Sequence, residues 1–169
     1  MEPHPQEICG DCGVALPFRP GPTHPYLGAS QSCWAMFGDV LAREYSDPLY
    51  MRAHRLTVDA YAAQHPGKPE RRSIQSVWVH LASLYLTLER RLDHSFARRV
   101  IAAMTEDAHL LEWLDPPSHY RSTVADVIAA EDAEAHGRAV HRWAEDVWSA
   151  WAEHHEAVRS AAERTLTRL

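Results

Sequence analysis

The first 31 residues cannot form a long helix. They hold Pro3, Pro5, Pro17, Pro20, Pro22 and Pro25 together with Gly10, Gly13, Gly21 and Gly28. Proline removes a backbone donor and blocks the helical turn before it, and glycine gains little from helix formation. The stretch is nonetheless not a featureless tail, because Leu16, Phe18, Tyr26 and Leu27 have apolar surface to bury. Residues 1–31 therefore read as an ordered strap laid over a body formed by residues 32–169, both within one domain.

The chemistry of the chain is concentrated in the same place. Its three cysteines are Cys9, Cys12 and Cys33. Cys9-Gly10-Asp11-Cys12-Gly13 resembles a zinc knuckle, in which two thiolates on a tight turn share one ion and the glycine supplies backbone freedom. A redox Cys-x-x-Cys is the competing reading, but that motif opens a helix after a strand, and no strand pattern precedes Cys9. Three thiols cannot all pair within one chain, and a reducing compartment would disfavour disulfides. Zinc is preferred over rubredoxin-like iron, which uses four thiolates.

Beyond Ser30 the pattern turns helical. Ser30 or Ser32 caps a helix over 32–45 with Cys33, Met36, Phe37, Val40 and Leu41 on its apolar stripe. Asp47-Pro48 starts a second that stops at His65-Pro66-Gly67. A third begins near Arg71 or Ser73, bends or restarts around Asp93 and ends near Glu106. After an irregular connection, Thr123-Val124-Ala125-Asp126 has the form of a capping box for a short helix to Ala130. A long helix over 132–167 carries Val140, Trp143, Val147, Trp151, His154 and Val158 on one stripe. Strand signals are close to absent, so the fold class is an all-α, single-domain helical bundle.

If the first two helices are antiparallel neighbours, Cys33 lies beside the C-terminal end of the second, near Asp59, Tyr61 and His65. The third helix starts back from that end and brings Gln75 and His80 to a similar height. The fourth ligand of a Cys3His tetrahedron is then His65 or His80, with His24 a third candidate. Each has a plainer reading: His65 can bond turn carbonyls, and His80 can rest on Asp59 or Gln75. His54, His80, His136 and His154 could gather as a second site, but they read better as core or interface histidines. His4, His94, His109 and His119 are expected on the surface. Asp59 and Glu44 could be paired carboxylates, and ordinary helix-surface charge explains Glu44 equally well. Trp143, Trp148 and Trp151 read chiefly as packing, with Trp148 reaching the strap or a second copy of the chain.

Composition limits the partners. Subtracting 23 acidic from 17 basic residues leaves −6, which argues against nucleic acid. No apolar run approaches the roughly 20 residues a membrane span needs, and Met1-Glu2-Pro3-His4-Pro5 lacks a signal-peptide core. A cytoplasmic protein follows, with a homodimer possible and any small-molecule ligand unknown. A phosphate loop, a nucleophile elbow and a His-Glu-x-x-His helix are all missing. His154-His155-Glu156 contains a His-x-Glu, but in the wrong order for a zinc deaminase.

The strings Cys33-Trp34-Ala35-Met36-Phe37, Val58-Asp59-Ala60-Tyr61-Ala62-Ala63-Gln64-His65-Pro66-Gly67 and Gln75-Ser76-Val77-Trp78-Val79-His80-Leu81 look familiar. They resemble an uncharacterised bacterial domain-of-unknown-function family of small Cys/His-containing helical proteins. That resemblance implies that Cys9, Cys12, Cys33, Asp59, His65 and His80 belong to one pattern, and it carries no activity. The expected function is a Zn2+-binding helical protein whose Cys3His site anchors the arm. The alternative is a metalloenzyme, a hydrolase or a thiol, alkyl or acyl transferase, with Asp59, His65 or His80 as base.

Overall fold

The strap opens on a structure that its sequence conceals. The computed structural model describes residues 5–169, so the expectations for Met1 to His4 lie outside the described residues. Strands β1 (Gln6–Ile8) and β2 (Ala15–Pro17) pair antiparallel, with Gln6 opposite Pro17, Glu7 opposite Leu16 and Ile8 opposite Ala15. This corrects the expectation that strands are absent; three-residue strands are too short to show an alternating pattern. Their turn is the knuckle itself. Gly13 N–H donates to the Cys9 carbonyl at 2.9 Å, and Cys9 N–H donates to the Val14 carbonyl at 2.9 Å. Gly13 has φ 76, the left-handed region that glycine enters without steric cost.

The helices follow the capping signals. Helix α1 (Gln31–Ser46) is capped by Ser30, whose hydroxyl accepts from Cys33 N–H. Asp47 caps α2 (Pro48–Met51), with proline in the first turn. The expected single helix from there to Gln64 is interrupted: Ala53 N–H bonds the Tyr50 carbonyl three residues back, and α3 runs from His54 to Gln64. Helix α4 (Arg71–Leu88) ends near Arg91, whose φ of 51 breaks the helical path. Asp93 then caps α5 (His94–Glu106), as the expected restart requires. The capping box of Thr123 and Asp126 starts α6 (Val124–Ile128).

The last helix is a second correction. Asp132 caps α7 (Ala133–Ala150), but the chain then makes a 3-10 turn over Ala152–His154 before α8 (His155–Leu166). Trp151 causes the break: its ring is buried and its Nε1–H donates to the Ala63 carbonyl at 3.1 Å. The Trp148 carbonyl bonds Trp151 N–H at 3.1 Å and the His155 ring at 2.7 Å, leaving the regular ladder. Trp148 itself stacks on His155 and donates to Glu89, so it packs within the bundle rather than against the strap.

Helix α3 is the centre of the body, packed on α4 and α7, while α8 covers α4 and α5. Gln64 at its end is fully buried: it accepts from Trp143 Nε1–H at 3.0 Å and donates to the Ser122 carbonyl at 2.8 Å. No helix among the described residues is long and apolar enough to cross a membrane. His94, His109 and His119 are exposed, as expected.

Candidate metal centre

Pro66 fixes the position of the key histidine. The residue before a proline is kept out of the α region, and His65 duly leaves the helix with φ −123 and ψ 66 at the end of α3. Its ring folds back, and Nδ1–H donates to the Tyr61 carbonyl at 2.7 Å, satisfying one of the orphan acceptors of the helix C-terminus. That bond sets the tautomer, so the Nε2 lone pair points away from the helix. It points at sulfur: Nε2 lies 3.4 Å from Cys33 Sγ. One ring nitrogen of His65 thus bonds a backbone carbonyl, as the plain reading has it, and the other faces the sulfur cluster.

Cys9 and Cys12 come from the hairpin turn and Cys33 from the first turn of α1. The ligand atoms of Cys9, Cys12, Cys33 and His65 all lie within 4.8 Å of one another, and all four residues are buried. Cys12 Sγ and Cys33 Sγ are 3.9 Å apart, too far for a disulfide, and the three cysteines are free. A tetrahedron with Zn–S about 2.3 Å and Zn–N about 2.0 Å has S···S edges of about 3.8 Å and S···N edges of about 3.5 Å. The observed 3.9 and 3.4 Å match those edges. The residues therefore fit a tetrahedral ion, with the carbonyl-bonded histidine that metal sites use to orient an imidazole.

Electrostatics points the same way. Hydrogen bonds with Cys12 and then Cys33 hold the Cys9 thiol far below its ordinary range, and the same crowding, Cys12 first, pushes Cys33 above it. Burial pulls the His65 ring down, but Cys12 and Cys9 outweigh it and lift it to about 9. Tyr61 donates its hydroxyl to Cys33 Sγ at 3.5 Å, a charge-assisted bond once that sulfur is a thiolate. A divalent ion among them would replace the protons these groups now contest.

Around this cluster the strap is tied to the body by polar contacts that the sequence reading missed. Asp11, between the two knuckle cysteines, accepts from Gly67 N–H at 2.8 Å. Glu7 accepts from Ser32 N–H at 2.8 Å at the start of α1, and Ser73 donates to the Tyr26 carbonyl at 3.0 Å. Gly67 has φ 71, and a Cβ there would stand 2.5 Å from the Tyr26 carbonyl oxygen. Gly67→Ala should therefore lift the strap and cost about 1–3 kcal/mol. Gly10→Ala, with open space around it and no positive φ, is the matched control. Equal unfolding midpoints for the two variants would contradict this seating.

The other candidates are placed elsewhere. His80 is outside the sulfur cluster and bonds Asp59 through Nδ1 at 2.8 Å. Asp59 is fully buried and also accepts from Arg55 at 3.1 Å and Ser83 at 2.5 Å. His24 accepts at Nδ1 from Leu27 N–H at 3.2 Å. The histidines weighed for a second site do not gather among the described residues: His54 and His136 converge on Glu44, while His154 bonds the Asp115 carbonyl. Glu44 is not surface charge but fully buried. A signal for it existed, since Cys33, Phe37, Val40 and Glu44 follow one helical stripe.

Comparison with curated proteins and with solved structures finds no match. One family model does match, over residues 7–152, a span that includes all three cysteines and His65. The chain belongs to that family, DUF5946, a family of unknown function.

Proposed function

We propose that this protein is a zinc-binding helical scaffold of the cytoplasm, in which Cys9, Cys12, Cys33 and His65 hold one structural Zn2+ that fastens the N-terminal strap to the bundle. The observation that carries this reading is the buried Cys3His cluster, two of whose edges have the lengths of a tetrahedral zinc site. Structural zinc sites are closed by four protein ligands, whereas catalytic ones keep a place for water. Three thiolates also donate enough charge to blunt the Lewis acidity that hydrolysis uses. The metalloenzyme alternative has less support, because Asp59 and His80 pair with each other and stand outside the ligand cluster.

Metal analysis of the purified protein tests the assignment. One zinc per chain is expected, lost in Cys12→Ser and His65→Ala and retained in His80→Ala. Zinc kept by Cys12→Ser, or lost from His80→Ala in a folded protein, would overturn it.

A further inference from the structure

Two buried carboxylates hold histidines that face the same cleft. Asp59 and Glu44 are both fully buried, yet each bonds the Nδ1 of a partly exposed imidazole: His80 at 2.8 Å and His54 at 2.7 Å. Burying a carboxylate is costly unless it is fully paired. Arg55 and Ser83 both donate to Asp59 Oδ2, and His80 Nδ1 is the partner of its other oxygen, Oδ1. Facing a guanidinium and a hydroxyl donor, Asp59 accepts, and His80 Nδ1–H donates. The other ring nitrogen, Nε2, has no hydrogen-bond partner among the described residues.

Both rings line a cavity of about 260 Å3 between the strap, α1, α3 and α4. It is distinct from the sulfur cluster. Half-buried Trp34 is its accessible aromatic wall, while Phe37 and Tyr61, stacked on each other at 3.7 Å, are buried. From the strap comes His24, edge-on to Trp34 at 5.0 Å. Its Nδ1 accepts from backbone N–H groups, so in the neutral ring Nε2 carries the proton. Burial lowers the pKa of His24 and favours that neutral form. The cleft thus offers a flat apolar wall, an unpartnered ring nitrogen at His80 and a donor at His24. It is smaller than the roughly 300–1,000 Å3 typical of pockets for drug-sized ligands.

We propose that this cleft is a binding site for a small, single-ring hydroxy-aromatic compound, whose hydroxyl donates to His80 Nε2 and whose ring packs against Trp34. A phenolic hydroxyl suits the site because it can also accept from His24. Asp59 acts as a positioning residue, holding the imidazole in the tautomer that presents a lone pair. The metal is not required for this recognition, beyond seating the strap that carries His24.

The test is titration of the native, zinc-loaded protein with phenol and with its methyl ether, anisole, followed by nitrogen–proton correlations of the histidine rings. Phenol should bind saturably, shift the His80 and His24 ring signals, and bind about tenfold more tightly than anisole, the worth of one net hydrogen bond. In His80→Phe, phenol should lose that advantage while anisole binding persists. If His80→Phe fails to fold, the native phenol-to-anisole ratio decides alone. Equal affinities, no saturable binding, or shifts confined to residues outside the cleft would each overturn the proposal.

Discussion

Stripping the ion with a strong chelator should lower the unfolding midpoint by about 8–16 °C and open the strap to protease. Structural zinc is worth about 10–16 kcal/mol in free zinc-finger peptides, but much of that offsets the entropy of ordering the strap, at roughly 1–2 kcal/mol per residue. Taking about 4 kcal/mol as the remainder, a chain of this size shifts by about 2–4 °C per kcal/mol. Apart from the cluster, the strap is held by a few polar contacts and a small apolar footing. Of its apolar residues Leu16 is buried, while Ile8 and Phe18 are exposed. Chymotrypsin should therefore cut after half-buried Tyr26 in the stripped protein and spare that bond in the loaded one. The bundle keeps its own core of Leu81, Leu84, Trp143 and Trp151, so far-ultraviolet dichroism should change little. A stripped protein as stable and as protease-resistant as the loaded one would show that the four residues do not carry the strap.

The second large effect lies away from the sulfur. Glu44 accepts from Thr57 at 2.5 Å, His54 at 2.7 Å and His136 at 2.9 Å, joining α1 to α3 and α7. The Nδ1 of His136 is buried without a partner, so its one satisfied nitrogen is the one on Glu44. Glu44→Ala removes the common acceptor, leaves polar groups of two other helices unpaired, and opens a cavity. Leaving buried hydrogen-bonding groups unpaired and opening a cavity together cost about 3–5 kcal/mol, readable as a large fall in the urea midpoint. Glu44→Gln keeps an acceptor and the volume, and should cost clearly less. If Glu44→Ala unfolds within about 1 kcal/mol of the native protein, the network is not holding these helices together.

The helical body was legible because caps and breakers are local. Ser30, Asp47, Asp93, Thr123 and Asp132 each start a helix through their own side chain, and Pro66 ends one. What escaped was tertiary. The break at Trp151 depends on a carbonyl 88 residues away, and nothing in the stripe of α7 announces it. The hairpin escaped because its strands are short and the knuckle sets their register. Within the Cys3His cluster, spacing pointed to the cysteines, since thiols clustered in a strap have few other uses. The choice between His65 and His80 needed the fold: both lie near Cys33 in height, but the His-Pro step turns one ring to the sulfurs, while Asp59 draws the other to the neighbouring cleft.

X-ray absorption at the zinc edge of the native protein measures the first shell directly. A Cys3His clasp predicts three sulfurs at about 2.3 Å and one nitrogen at about 2.0 Å, with imidazole scattering beyond it and no change on His80→Ala. A shell with an oxygen in place of the nitrogen, fewer than three sulfurs, or no bound metal at all would contradict the account.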